Sequence, residues 1–355
     1  MDVLKRSHAV LATDDDLYSF YRDKCVVITG AAGSIGSSVA EYLAGLQCRR
    51  LVLLDQFDHG LLDIVERVGR IDRRLDVVDA LCDIRDGVRL ERWFARVRPD
   101  IVIHAAALKH VHLGERHPGA CVLSNLVGVR NALIAAHKAG ATNFTLVSSD
   151  KAASPVCVMG ATKRLAELHL LGFEREHGSA MTVKSVRFGN VIGSQGSVLP
   201  RFSAQIAAGG PLEVTHPEME RFFMSVEEAV ALILSVTRSD DGSGAYFMEM
   251  GDPVSILELG REMIARSGRK VAIEFTGLRP GEKLKEELFD GSETVAPVSL
   301  QGVFKVAPRS ADAALSTREV EELERVARTA DDAVVLQRVF AHLDARLGRE
   351  DRAAG

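Results

Sequence analysis

The chain has 355 residues, 46% of them hydrophobic and 26% charged, with a formal net charge of −5. That length buries a large core and suits two lobes, and the charge gives no reason to expect nucleic acid or an anionic membrane as partner. No apolar run reads as a membrane span, residues 1–22 lack the apolar centre of a signal peptide, and five scattered cysteines without a CxxC pair point to buried thiols in a cytoplasmic protein rather than zinc or disulfides.

In chain order, residues 1–22 form an N-terminal extension. A β-rich run at 25–29 meets glycines at once, and 34–46 reads as a helix. Residues 51–54 are the next buried strand, ending at Asp55, and another β-like run precedes Asp83-Ile84. Short apolar runs follow at 101–106, 144–148 and 183–188, with helical patterns between them at 131–139 and 162–176. Short buried strands alternating with helices predict an α/β fold, a Rossmann-like doubly wound parallel sheet. We expect this domain over 23–192, with later elements from about 219–250. A smaller substrate lobe is expected over 193–218 and 251–312, where Gly, Ser and Pro punctuate the chain. Residues 313–355 form a helical segment, and the charged pattern at 317–347 reads as a solvated tail.

The run Thr29-Gly30-Ala31-Ala32-Gly33-Ser34-Ile35-Gly36 follows a strand and opens a helix. Gly30 permits a tight turn, Gly33 lets backbone approach a pyrophosphate, and Gly36 allows close helix–sheet packing. The amides of Ser34 and Ile35 then face the phosphates at the helix N-terminus. Asp55, about 20 residues on at the end of the second strand, strengthens the match to a dinucleotide site. A carboxylate there accepts from ribose hydroxyls and repels a 2′-phosphate, and Gln56 follows it instead of arginine, so NAD is expected over NADP. Asp55 is alternatively a helix cap. Asp83 and Ile84 suit the adenine edge, and Asp83 equally suits a turn.

After the strand at 101–106, the small residues Ala105 and Ala106 let a flat ring lie against backbone, and Lys109 is placed to meet substrate unless it is an ordinary surface lysine. Ser149, Asp150 and Lys151 end the following strand, where ligands bind in such sheets. Met159 and Lys163 lie four apart on one helical face. Lys163 suits the nicotinamide ribose. The segment holds an acid, a base and a helical lysine, without a tyrosine beside them.

Taken with Arg187-Phe188-Gly189-Asn190-Val191-Ile192-Gly193-Ser194, with residues 214–224 around Glu220-Arg221-Phe222-Phe223, and with Leu278-Arg279-Pro280-Gly281-Glu282-Lys283, these motifs resemble the extended short-chain dehydrogenase/reductases. More closely, over roughly 23–310, the chain resembles the nucleotide-sugar 4,6-dehydratases of bacterial polysaccharide biosynthesis, in the branch with methionine at the tyrosine position. The resemblance implies UDP-N-acetylglucosamine as substrate, an NAD regenerated in each cycle, a 4-keto-6-deoxy product, and a homodimer or larger homo-oligomer, with two helices per subunit the usual pairing. It also implies a short soluble member rather than one with a membrane-spanning region. By carry-over, Asp150 is the acid for the C6 hydroxyl and Lys151 the base at C5.

Met159 cannot take a proton, so Ser149 is expected to relay the C4 hydroxyl proton, with a water as runner-up. A neutral Asp150 beside a neutral Lys151 has the proton count of the ion pair, and a covering sugar is expected to favour the neutral form. Arg279 suits a diphosphate. Arg221, Asn190 and Glu282 are further substrate candidates. No ligand cluster supports a metal around His110 or His216. Competing readings are a UDP-sugar 4-epimerase or 4-ketoreductase, a C5-inverting dehydratase, and a non-catalytic nucleotide sensor. The Asp150-Lys151 pair argues against the first and the last.

Overall fold

The computed structural model describes residues 11–178, 180–194 and 196–348. Its centre is a nine-stranded sheet. Six parallel strands, β1 (Cys25–Thr29), β2 (Arg50–Asp55), β3 (Asp76–Leu81), β4 (Ile101–His104), β5 (Asn143–Val147) and β6 (Thr182–Arg187), lie in the order β6-β5-β4-β1-β2-β3. Every residue of β1 and β4 is buried, as strands covered on both faces require. The strand order reverses between β1 and β4, which opens a crevice at their carboxyl ends. Beyond β6 the sheet continues as β11 (Gly244–Met248), parallel to it, and then β15 (Val303–Pro308) and β14 (Glu293–Pro297), both antiparallel.

One face of the sheet carries α1 (Asp14–Tyr21), α2 (Ser34–Ala44), α3 (Asp58–Ile71) and α10 (Val226–Arg238). The described part of the expected N-terminal extension is therefore packed: Thr13 and Asp16 form a capping box at α1, and the Tyr21 hydroxyl donates to Leu234 O at 3.0 Å. The other face carries α4 (Gly87–Val97), α7 (Gly128–Ala139) and α8 (Val158–His177). A smaller lobe gathers α9 (Val198–Ala207), α11 (Ile256–Ser267) and three short ladders around Phe202, Leu212, Val214, Met219, Phe223 and Leu259. The ladders pair β8 (Leu212–Val214) with β13 (Ile273–Phe275), β9 (Glu220–Arg221) with β12 (Val254–Ser255), and β7 (Asn190–Val191) with β10 (Phe223–Met224).

Two expectations fail. The C-terminal segment is not a solvated tail. It forms α12 (Thr317–Thr329) and α13 (Asp332–Leu347), whose Val320, Leu323, Val335, Val339 and Leu343 are buried against α8 and its neighbours. The pattern is charged because only one stripe of each helix faces inward. The C-terminal pair thus covers part of α8. In addition, the passage Pro118–Lys138 is one helix long and apolar enough to cross a membrane by length and composition, although 78% of its apolar window is buried inside the protein. Asn125, Arg130 and Asn131 interrupt it in the sequence and hide the run.

Candidate active site

Two adjoining clefts lie at the strand carboxyl ends and share Gly30, Gly33, Ala105, Ala107 and Leu108. One, of about 240 Å³, is lined by Asp55, Gln56, Cys82, Asp83, Ile84 and Ala106. The other, of about 560 Å³, is lined by Ser34, Ile35 and Gly36, by the 147–151 turn, and by parts of the lobe.

Gly30 joins them. Its φ is +69°, and a Cβ there would lie 2.5 Å from Ala106 N, so only glycine lets the tip of β1 touch the tip of β4. Gly33 is the N-cap of α2 and offers no side-chain acceptor, which leaves the first-turn amides turned to the cleft mouth. Asp55 accepts from Ala32 N at 2.9 Å and from Phe57 N at 3.0 Å. It braces the glycine loop and is not a cap on an N2 or N3 amide of α3. Asp83 closes its turn on Arg85 N at 2.9 Å, as one of its two expected uses has it, pairs with the Arg85 guanidinium at 2.6 Å, and lines the smaller cleft. Burial alone would raise its pKa, but the Arg85 contacts outweigh burial and lower it. A glycine cradle, a helix N-terminus and a carboxylate at the end of β2 together fit a dinucleotide.

The Ser149–Lys151 turn follows β5. Asp150 N donates to Phe188 O at 3.1 Å, which ties the turn to the end of β6. Ser149 Oγ donates to Asp150 Oδ1 at 2.8 Å and accepts from Lys151 N at 3.3 Å. Lys151 Nζ donates to the same Oδ1 at 3.0 Å. The Asp150 side chain is 1% exposed, yet Oδ2 has no hydrogen-bond partner. A buried carboxylate oxygen without a partner is costly for folding. Lys151 is opposed by burial, but Asp150 and Glu286 outweigh that and hold its pKa above the ordinary lysine value. In this structure Lys151 is therefore held in its charged form.

Lys163 lines the cleft and donates to Val147 O at 2.8 Å. Burial, partly offset by Glu167, lowers its pKa to about 8. Met159, one turn earlier, is buried against Gly114 of helix α5 (Val111–Arg116). It fills space and offers no proton acceptor.

Of the substrate candidates, Lys109, Asn190, Arg221 and Glu282 line the larger cleft. Burial lowers the Lys109 pKa. Arg221 is held from behind, its Nη1 donating to Glu220 O at 2.7 Å and Leu284 O at 3.1 Å. Arg279 is not brought to the cleft wall. Its backbone N–H donates to Glu282 Oε2 at 3.1 Å, and it is Glu282 that turns inward. The turn between them is pinned at Gly281, whose φ is +78° and where a Cβ would lie 2.7 Å from Cys157 Cβ.

Two residues were missed. Glu115 Oε1 accepts from Val158 N at 2.7 Å and so caps α8, the helix that carries Met159 and Lys163. Glu286 lies in the cleft, 3.4 Å from Lys151 Nζ. Its one signal is its position just past the Arg279–Leu284 motif, and that does not show which way a side chain points.

Residues 26–308 match the family model described as polysaccharide biosynthesis protein. The chain belongs to that family. Among its relatives, the probable polysaccharide biosynthesis protein EpsC of Bacillus subtilis is 39% identical over 83% of this chain and 50% of its own length. The chain thus spans about half the length of that relative. A Campylobacter jejuni protein named UDP-N-acetylglucosamine 4,6-dehydratase (inverting) is 30% identical over 81% of this chain and 84% of its own. The solved structure of Pen from Bacillus thuringiensis superposes with a TM-score of 0.75 at 30% identity, covering 86% of this chain and 98% of that one. Proteins named UDP-glucose 4-epimerase also reach 30% identity. Members of this family are thus related to both dehydratases and epimerases of nucleotide sugars, on a shared short-chain dehydrogenase/reductase fold.

Proposed function

We propose that the protein catalyses the NAD-dependent 4,6-dehydration of UDP-N-acetylglucosamine to a UDP-4-keto-6-deoxy-N-acetylhexosamine. The observation that carries this reading is the Ser149–Asp150–Lys151 hydrogen-bonded chain in the wall of the larger cleft, with Asp150 Oδ2 unpartnered. Gly30, Gly33, Gly36 and Asp55 would hold NAD, which would supply the hydride chemistry that oxidises C4 and reduces C6.

The side chains then have proton work to do. Ser149 already donates to Asp150, so the C4 hydroxyl proton passes to Ser149 Oγ as the serine proton passes to the Asp150 carboxylate. The new ketone acidifies C5, and a neutral Lys151 takes the C5 proton. Asp150 gives its proton to the C6 hydroxyl, which leaves as water. Lys151 returns its proton to C5 from the same face, which retains the configuration. The proton lost from O4 leaves in the water, and every group ends as it began. Lys163, bonded to Val147 O, donates an N–H to the alkoxide as it forms. Lys109, Asn190, Arg221 and Glu282 position the sugar and its diphosphate.

This cycle starts from an ionised Asp150 and a neutral Lys151, one proton fewer than the resting pair. Turnover therefore rises with pH as Lys151 is deprotonated. A sugar covering the amine assists by disfavouring its charge.

An epimerase needs no acid–base pair for C5 and C6, so the cluster favours dehydration over that second reading. Incubation with UDP-N-acetylglucosamine in deuterated water tests it. Solvent deuterium at C5 with a new 6-methyl signal is the expected result, and a 4-epimer with neither feature overturns it.

A further inference from the structure

Lys151 is gripped from both halves of the molecule. Asp150 reaches it from the sheet at 3.0 Å, and Glu286 reaches it from the lobe at 3.4 Å. The Glu286 side chain is 4% exposed and lies 3.9 Å from Arg221 Nε. The four groups form an alternating cluster in the cleft wall, with two anions and two cations.

The proposed cycle makes the two carboxylates unequal. Asp150 must become neutral to act as the acid for the C6 hydroxyl. At that moment Lys151 takes the C5 proton and becomes an ammonium in a site closed by the sugar. An ammonium without a counter-ion there is disfavoured, and Asp150 no longer supplies one. Arg221, held by two carbonyls, stands 3.9 Å from Glu286, and Glu286 is left as the second carboxylate at Lys151.

We propose that Glu286 is a positioning residue for the C5 step, holding the ammonium formed on Lys151 while Asp150 is neutral. The inference rests on the dehydratase reading given above. It assigns the lobe a chemical task besides substrate grip. The segment that carries Glu282 to the cleft also brings the counter-ion to the base, so the base is complete only when lobe and sheet are docked. Arg221 touches the cluster in two ways: it lies 3.9 Å from Glu286 and its charge repels the proton on Lys151. Asp150, Glu286 and Arg221 are the charged groups that act on Lys151.

Glu286→Gln keeps the shape and removes the charge. In full-length protein with NAD bound, labelled at lysine Cε, the Lys151 resonance is assigned by its loss in Lys151→Arg. Its titration midpoint is expected to fall in Glu286→Gln, because a removed anion favours the neutral amine. The alkaline rise of kcat/KM shifts to lower pH with it. On the plateau, deuterium entry at C5 falls about tenfold, as a weaker base requires, while transient nicotinamide reduction at 340 nm stays within about twofold. Glu286→Asp restores most of each effect.

A Lys151 midpoint and a pH profile that do not move in Glu286→Gln overturn the proposal. A wild-type protein that gives no deuterium at C5 overturns the dehydratase reading instead, and the Lys151 titration then judges the Lys151–Glu286 pairing by itself.

Discussion

Two clusters of charge sit one layer apart in this protein. Behind the catalytic turn, Arg164 and Arg187 are paired with Glu167 and Glu293, and all four side chains are at most 2% exposed. Arg187 alone makes bonds of 2.6 Å to Glu167 and 2.7 Å to Glu293, and Ser148 Oγ donates to Glu167 at 2.6 Å. In front, facing the cleft, stand Asp150, Lys151, Glu286 and Arg221, with Lys151 18% exposed and one Asp150 oxygen unpartnered. Each cluster has two acids and two bases, and each joins the Rossmann sheet to a segment between residues 286 and 293. The rear cluster uses only arginine as cation, and guanidinium keeps its proton at any working pH. The front cluster places a lysine between two carboxylates, and a lysine can give its proton up. The same charge count thus makes a fixed joint in one place and, in the function proposed above, a proton-transfer site in the other.

Breaking the rear cluster should have the largest effect. Glu293→Ala leaves two buried guanidinium groups short of a partner and should cost about 3–5 kcal/mol, read as a lower urea midpoint. A loss under about 1 kcal/mol would mean that this cluster, too, is solvated and loose.

Asp150→Asn should lower dehydration by about 10²–10⁴-fold with nearly unchanged stability, since Lys151 keeps Glu286. Reduction of NAD at 340 nm should fall as well, because an asparagine cannot take the proton relayed from O4 through Ser149, and no 6-methyl product should form. Full dehydration by this variant removes the acid role and with it the contrast between the clusters.

The titrating lysines sharpen the comparison through stability. Lys163 has a folded pKa of about 8, below that of an unfolded lysine, so its burial penalty is present below pH 8 and is relieved as pH rises to about 10.4. Lys184, also lowered to about 8, has the same sign. Lys151, raised, does the reverse: its contribution is complete below the unfolded lysine value and is lost as pH rises above it. Lys163→Met should therefore flatten the rise in urea midpoint from pH 8 to 10. A slope equal to that of the wild type rejects the burial of this amine.

Ser149→Ala should show the smallest effect, about a tenfold fall in turnover, because a water can replace a relaying hydroxyl. The small stability change comes from the lost bond to Lys151 N. Undiminished turnover removes the serine from the relay.

The parallel core was legible because β1, β4 and β5 are short, largely apolar runs, and strands buried on both faces need no alternation. The glycine loop, Asp55 and the Ser149–Lys151 turn were legible because their chemistry depends on residues close together in the chain. The antiparallel edge was not, since β14 shows four exposed residues of five and has no apolar signature. Arg279 was over-read: a motif gives residue types and not the direction of a side chain, and it is Glu282 that turns inward. Glu286 was invisible because its meaning lies wholly in a residue from a distant segment.

The order of residues by itself determined the nucleotide loop, the acid and base after the fifth strand, and the thioether where a phenol would stand. Each of these is a local fact, set by neighbours within a turn or a strand end. Only the folded chain decided that α12 and α13 cover α8, that Lys151 is shared by two carboxylates, and that Asp150 keeps one oxygen bare. Those outcomes depend on distances across the sheet–lobe junction, and Coulomb and desolvation energies follow separation in space, not in sequence.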